Sequence, residues 1–145
     1  MSQEKIKYLE MIQAVVNRMA QNSFALKGWA VTLVTGLSAF SAVDKNKWLI
    51  LVALIPIILF WFLDSYYLQQ ERKYRALYNK AVADKSEKDL FNLKPPKANK
   101  ADKTLFRQSL FSPTEAGMYI PFLAVVGGVL LIICFLPIPV TVQVP

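Results

Sequence analysis

The sequence predicts an all-α membrane protein with three transmembrane helices, the first two of which extend into the cytoplasm as an antiparallel helical hairpin. Hydrophobic residues make up 54% of the 145-residue chain, which is more than a soluble domain ordinarily carries. They fall into three blocks that contain no charged residue, at 28–43, 48–63 and 116–136. Crossing a bilayer takes about 20 helical residues, so we expect each block, with its flanks, to cross once.

The basic residues alternate with these blocks and predict the topology. Eleven of the 17 lysine and arginine residues lie between Arg72 and Arg107, and four precede Gly28. Because segments rich in lysine and arginine stay in the cytoplasm, we expect a multi-pass membrane protein with three spans. Its N-terminus is then cytoplasmic and its C-terminus periplasmic or external. The net charge of +7 predicts attraction to anionic lipid on the cytoplasmic side, and no direct contact with nucleic acid is expected.

Residues 1–24 are predicted to form an amphipathic cytoplasmic helix that leads directly into transmembrane helix 1 at 25–43. No proline or glycine interrupts the chain before Gly28. Two placements are open, since this helix could lie flat on the membrane surface or project into the cytoplasm against another helix. We favour projection, because its polar face is not strongly basic and a partner of matching length follows. The apolar side chains recur at helical spacing, at Tyr8, Ile12, Val15 and Met19.

Transmembrane helix 2 is predicted at 48–68, and its cytoplasmic extension at 69–83. An exposed row of tyrosines is unusual, so we predict a cytoplasmic interaction face along this extension. The N-terminal helix, another subunit or a soluble protein partner is expected to cover it. The residues of this face follow helical spacing and are Tyr67, Glu71, Tyr74, Leu77 and Tyr78.

An acidic residue at the inner end of helix 2 raises the question of its partner. If the chain turns back at residues 45–46, residues equally far from the turn lie at equal depth, and Lys27 and Asp64 are such a pair. We therefore predict a membrane-edge ion pair between Lys27 and Asp64, at a depth where a carboxylate costs less than at mid-bilayer. Two alternatives remain open: Arg18 and Asn22 reach Asp64, or Asp64 contacts interfacial water.

Residues 84–111 are predicted to be a basic cytoplasmic linker. Pro95 and Pro96 exclude a helix through that point. Two interpretations are open, a ribbon that lies on anionic lipid head groups and a flexible solvated linker. The lysines that favour the first recur every three residues, at Lys94, Lys97, Lys100 and Lys103.

The third span begins with a strong helix start. Ser112 is a suitable N-cap, Pro113 suits the first helical position, and Glu115 completes a capping box. We therefore predict transmembrane helix 3 at 113–136, followed by an external extended tail at 137–145.

Small residues predict close helix packing in lipid. Two interpretations are open, packing within one subunit and a contact between subunits of a homo-oligomer in which hydroxyl groups face a central lumen. The second span carries bulky residues and Pro56 in its middle, and is expected to be lipid-facing or wedge-like. The small and hydroxyl residues are Gly28, Thr32, Thr35, Gly36 and Ser38 on the first span, and Ala124 and Gly128 on the third.

No pattern in the chain indicates an active site. The sequence contains no histidine, and it has no Gly-rich phosphate loop, no nucleophile elbow and no cluster of metal ligands. We therefore expect that the protein is not an enzyme, and we predict no catalytic residue, no metal site and no cofactor.

Two segments resemble those of small bacterial multi-span membrane proteins. They are NSFALKGW at 22–29, which enters the first span, and LDSYYLQQERKYRALY at 63–78, which leaves the second. The layout is also similar to that of SLATT-type and other short multi-span effectors encoded in phage-defence operons. In contrast to effectors with fused sensors, this chain has no separate nucleotide-binding domain.

This resemblance implies a function. Membrane parts of such effectors oligomerise and permeabilise the inner membrane once a partner or a signal releases them. We expect an oligomeric inner-membrane protein that acts as a pore-forming or membrane-perturbing effector of anti-phage defence. The alternative is a non-conducting membrane scaffold that recruits a soluble partner through its cytoplasmic helices.

Overall fold

The computed structural model describes residues 2–44, 47–84 and 91–135, and over these ranges it contains helices and no strand. The all-helical prediction is confirmed. Three of the four helices, α1, α2 and α4, are long and apolar enough to cross a membrane, as predicted. The helices are α1 (Gln3–Asp44), α2 (Lys47–Ala83), α3 (Phe106–Leu110) and α4 (Pro113–Phe135).

The first two helices are each longer than a membrane is thick. The 42 residues of α1 extend over about 63 Å at 1.5 Å per residue, and the 37 residues of α2 over about 55 Å. A hydrocarbon core is about 30 Å thick. A large part of both helices therefore lies outside any apolar layer that they cross, and α1 continues without a break from its amphipathic half into its apolar half.

Two apolar clusters hold α1 and α2 together. The stalk cluster joins Tyr8, Ile12 and Val16 of α1 to Leu77 of α2. The span cluster joins α1, α2 and α4 and consists of Ala30, Val34, Ala53, Ile57, Tyr119 and Val126. Early residues of α1 thus contact late residues of α2, and later residues of α1 contact earlier ones of α2.

Helix α2 packs between its neighbours. Of the two expectations for the second span, lipid-facing or wedge-like, the structure agrees with the second. The helix packs against α1, α3 and α4, and its Ala53 and Ile57 are completely buried. These two residues are four apart, so they lie on one side of the helix. The bulky side chains that suggested a lipid-facing helix, such as Ile55 and Leu59, are exposed on the other side.

The segment from 91 to 111 runs along the outside of the two long helices. At its start, the Tyr8 hydroxyl of α1 donates a hydrogen bond of 2.6 Å to the Asn92 carbonyl. Further on, Gln69 Nε2 of α2 donates to the Thr104 carbonyl at 2.9 Å. This part of the predicted linker is therefore bound to the helices, which contradicts a free, solvated linker there. The predicted turn at 45–46 and the predicted tail at 137–145 lie outside the described residues.

Candidate functional site

Five polar side chains from three helices meet between α1, α2 and α4. We call them the charge cluster: Ser23 and Lys27 of α1, Asp64 of α2, and Glu115 and Tyr119 of α4. The structure thus places the predicted partners Lys27 and Asp64 in direct contact. It adds three residues that the sequence reasoning did not assign to this site.

Lys27 is the centre of the charge cluster. Its Nζ donates hydrogen bonds to Asp64 Oδ2, to Glu115 Oε1 at 3.1 Å and to Ser23 Oγ at 2.9 Å. An ammonium group has three N–H donors and no acceptor. All three donors are therefore used, each toward a different residue.

Asp64 is fully buried and receives three hydrogen bonds. Ser23 donates to Oδ1, while Lys27 and the Tyr119 hydroxyl, the latter at 3.1 Å, donate to Oδ2. The side chain is 0% exposed, so the alternative of an acid in contact with interfacial water is wrong. Ser23, and not Arg18 or Asn22, supplies the additional donor from α1.

Glu115 is the second carboxylate of the charge cluster and was expected to complete a capping box instead. The first half of that box forms, because the Glu115 backbone N–H donates to Ser112 Oγ at 3.4 Å. The reciprocal bond is replaced, since the Ser112 backbone N–H donates to the Ser109 carbonyl at 3.1 Å. The Glu115 carboxylate is thereby free to turn toward Lys27. It is 1% exposed, and within the described part of the chain its Oε2 has no hydrogen-bond partner.

A signal in the sequence could have identified Glu115. Lys27 is the last charged residue before the first uncharged block, and Asp64 is the first after the second block. Glu115 is likewise the last charged residue before the third. Charges that border apolar spans lie near the same depth when the spans are packed together, so these three residues were candidates for one site.

Aromatic rings cover the charge cluster. Tyr119 follows Glu115 by four residues on α4, is fully buried, and stacks on Trp61 of α2 with ring centroids 6.0 Å apart. Trp61 also donates its Nε1–H to the Leu110 carbonyl at 3.0 Å and meets Phe111 edge-on at 6.3 Å. These contacts tie α3 and the start of α4 to the middle of α2.

The charge cluster is built around a cation that the chain itself supplies, the Lys27 ammonium group. Among the residues described by the structure, no group of three or more His, Cys, Asp or Glu side chains could hold a metal ion. The position between the two carboxylates is taken by the Lys27 ammonium group. The charge cluster can therefore hold three helices together at one depth. Because it contains two carboxyl groups, it can also bind and release a proton.

Three of the predicted small and hydroxyl residues on α1 do not pack within the subunit. Gly28, Thr32 and Thr35 are exposed, and they lie on the side of α1 opposite the buried Ala30 and Val34 at 100° per residue. A methyl group placed on Gly28 or Gly36 would meet nothing within 4 Å. The interpretation as packing within one subunit therefore does not hold for these residues.

The remaining small residues are less uniform, and the Ser38 hydroxyl is buried within the subunit without a hydrogen-bond partner among the described residues. Gly36 and Ser38 of α1 are half-buried, and the Thr32 hydroxyl donates to the Gly28 carbonyl of its own helix at 3.0 Å. On α4, Ala124 is exposed, and a methyl group on Gly128 would also meet nothing within 4 Å.

The predicted interaction face on α2 is turned toward α1. Leu77 is buried, and Tyr74 and Tyr78 pack against the stalk cluster. Tyr67 and Glu71 are half-buried. Of the three coverings considered for this face, the structure has the first, the N-terminal helix.

Comparisons with known proteins identify no relative. No protein-family model matches the chain, and neither a curated protein nor a solved structure shows significant similarity to it.

Proposed function

We propose that the protein is a homo-oligomeric protein of the bacterial inner membrane that perturbs or permeabilises that membrane as an effector of anti-phage defence. The observation that carries the oligomer is the outward-facing small-residue surface on both α1 and α4. The resemblance of residues 22–29 and 63–78 to small multi-span membrane proteins supplies the defence setting.

The proposed topology follows from the position of the charge cluster. From Lys27 to the end of α1 at Asp44 the helix rises about 26 Å, close to the thickness of a hydrocarbon core. The charge cluster then lies at the cytoplasmic edge of the membrane. The stalk cluster lies beyond that edge in the cytoplasm, where α1 and α2 continue as an antiparallel hairpin.

Two outward ridges on one subunit favour a closed ring. The ridge on α1 contains Gly28, Thr32 and Thr35, and the ridge on α4 contains Ala124 and Gly128. Small residues allow close helix approach in lipid. If the α1 ridge of one copy packs on the α4 ridge of the next, the contact is heterologous, and such contacts generate rings when the rotation closes.

Anionic lipid is the second proposed partner. Lys94, Lys97, Lys100, Lys103 and Arg107 are all exposed. The end of their segment is held toward the proposed membrane edge, because Arg72 Nη1 donates to the carbonyls of Lys103 and Gln108 at 3.2 and 3.1 Å. Its start lies beside the stalk, where the Asn92 carbonyl accepts from Tyr8. Each basic residue close to an anionic surface contributes about 1 kcal/mol of attraction.

A non-conducting scaffold ranks second. The face that a soluble partner was expected to use is packed on α1 through Tyr74, Leu77 and Tyr78. A partner would have to displace α1 or bind elsewhere on the stalk. A scaffold should leave membrane potential intact and should lose its soluble partner on Tyr74→Ala combined with Tyr78→Ala.

The oligomer is tested by filling its ridges with leucine. Gly28→Leu, Gly128→Leu and Ala124→Leu enlarge the outward ridges and are expected to leave the subunit folded, since a methyl group on either glycine meets nothing within 4 Å. Gly127→Leu is the matched control, because a methyl group there also meets nothing within 4 Å and the residue lies beside the α4 ridge. Native mass measurement in detergent should show a smaller assembly for the ridge variants and wild-type size for the control.

The effector role is tested in the same variants. Expression of the wild-type chain and of Gly127→Leu should depolarise cells, and the ridge variants should not. A wild-type protein that is monomeric in detergent and in lipid would contradict the oligomer. Oligomers that leave the membrane potential unchanged would contradict the effector and favour the scaffold.

A further inference from the structure

The charge cluster contains one more acid than base. Lys27 supplies one positive charge, and Asp64 and Glu115 supply two carboxyl groups. Asp64 is 0% exposed and Glu115 1%. If both carboxyl groups were ionised, the cluster would carry one uncompensated negative charge away from water, which is costly.

The hydrogen bonds of the two carboxyl groups are unequal. Asp64 receives three donors, whereas the Glu115 carboxyl group receives Lys27 at Oε1 and none at Oε2 among the described residues. Both carboxyl groups contact the same ammonium group, because Lys27 Nζ donates to Asp64 Oδ2 and to Glu115 Oε1. Two ionised carboxylates are both acceptors, so no hydrogen bond can form between them until one of them carries a proton.

From this geometry we infer that the charge cluster is a binding site for one exchangeable proton, held on Glu115. The proton comes from water and adds to the carboxylate without any other bond changing. It turns Oε2 from an unpartnered acceptor into a neutral hydroxyl that can donate a hydrogen bond. The cluster then contains one ammonium, one carboxylate and one neutral carboxyl group, and its net charge is zero.

Among the residues that the structure describes, no other charged group is bonded to the cluster and supplies the missing positive charge. From α1 the carboxyl groups face Ser23 and Lys27, and from α4 they face the Tyr119 hydroxyl. The nearby Arg72 on α2 directs Nη1 to the Gln108 carbonyl and to Ser109 Oγ. The Lys27 side chain is 19% exposed, so water can exchange the proton along that side.

Infrared spectroscopy of the purified protein tests this inference directly. A neutral carboxyl group has a C=O stretching band that a carboxylate lacks, and exposed Asp and Glu side chains are ionised at neutral pH. At neutral pH the wild-type protein should show this band with an amplitude of one carboxyl group per chain. The band should shift in heavy water, because the proton exchanges.

Three variants test whether the band belongs to the charge cluster. Glu115→Gln should abolish it, because the proton-binding group is gone. Asp64→Asn should abolish it too, because Lys27 then balances an ionised Glu115. Glu71→Gln, which removes a carboxylate paired with Arg75 on the stalk, should leave it unchanged.

The other outcomes overturn the inference. A wild-type protein without the band holds no proton. A band that survives in Glu115→Gln places the proton on another residue. A band that survives in Asp64→Asn shows that charge balance does not hold the proton.

Thermal unfolding in detergent gives a second readout. Glutamate in the unfolded chain is ionised at neutral pH, so unfolding would release the proton and rising pH would lower Tm. Glu115→Gln should lose this dependence. Neither measurement requires an oligomer or a pore, so the inference stands or fails separately from the proposed function.

Discussion

The charge cluster and the stalk cluster lie on the same two helices but depend on different forces. The charge cluster joins three helices through an ammonium group and two carboxyl groups. The stalk cluster joins two helices through apolar and aromatic side chains. In water, apolar burial drives such packing, whereas lipid is as apolar as the side chains and leaves packing and polar contacts to hold helices together. In the proposed topology each cluster thus uses the force that its surroundings allow.

The largest effect should come from removing the one cation of the charge cluster. Lys27→Met keeps most of the side-chain stem but leaves two buried carboxyl groups facing each other. Breaking a buried ion pair costs about 3–5 kcal/mol, and we expect a loss of unfolding free energy in that range, measured by denaturant unfolding in detergent. Lys97→Met, at an exposed position, is the control and should cost almost nothing. A loss below that of Asp64→Asn would contradict the central role of Lys27.

Two buried isoleucines allow the surroundings of the stalk cluster and of the span cluster to be compared directly. Ile12 of the stalk cluster and Ile57 of the span cluster are both 0% exposed. Truncating a core isoleucine to alanine costs about 2–5 kcal/mol in water, of which a part is the lost transfer energy. Ile12→Ala should therefore show this loss, and Ile57→Ala a smaller one, because lipid removes the transfer part. Unfolding in bilayer nanodiscs measures both.

Equal losses at the two positions would place both isoleucines in similar surroundings. The stalk would then not lie in water, and the proposed topology would fail. Ile6→Ala, an exposed position on the same part of α1, controls for any change in helix propensity.

A double-mutant cycle measures the predicted pair itself. Contacting residues show coupling energies of about 0.5–3 kcal/mol, and we expect Lys27→Ala with Asp64→Ala to be milder than the sum of the two single changes. Glu115 keeps Lys27 paired when Asp64 is removed. The coupling should therefore rise when the cycle is repeated in a Glu115→Gln background. Strict additivity in both backgrounds would mean that the contact contributes nothing to stability.

Sequence reasoning reached the Lys27–Asp64 contact because helices are rigid and rise by a constant amount per residue. Depth on two helices joined by a short turn can then be counted from the turn. The depth of Glu115 cannot be counted in this way, because the long segment from 84 to 112 separates α4 from α2 and does not have the constant rise of a helix. The same limit applies to the rotation of a helix, which is why the second span was expected to be either lipid-facing or wedge-like.

The path of residues 91–111 along the helices could not be predicted from the sequence either. It is fixed by bonds from side chains such as Tyr8, Gln69 and Arg72 to backbone carbonyls. Every residue carries a backbone carbonyl, so the sequence does not indicate which carbonyl a given side chain will bind. The small residues of α1 were visible, but only the structure shows that Gly28 and Gly36 have open space around them.

Two tyrosine hydroxyls give the smallest and most selective comparison. Tyr119 donates to the buried Asp64 carboxyl group at 3.1 Å, and Tyr8 donates to the neutral Asn92 carbonyl at 2.6 Å. Hydrogen bonds to charged groups contribute about 1.5–3 kcal/mol and neutral ones about 0.5–1.5 kcal/mol. Tyr119→Phe should therefore destabilise the protein more than Tyr8→Phe, although its bond is the longer one, because charge and not length decides the strength. If denaturant unfolding ranks the two variants the other way, Asp64 does not carry the negative charge of the cluster, and the proton would belong to Asp64 and not to Glu115.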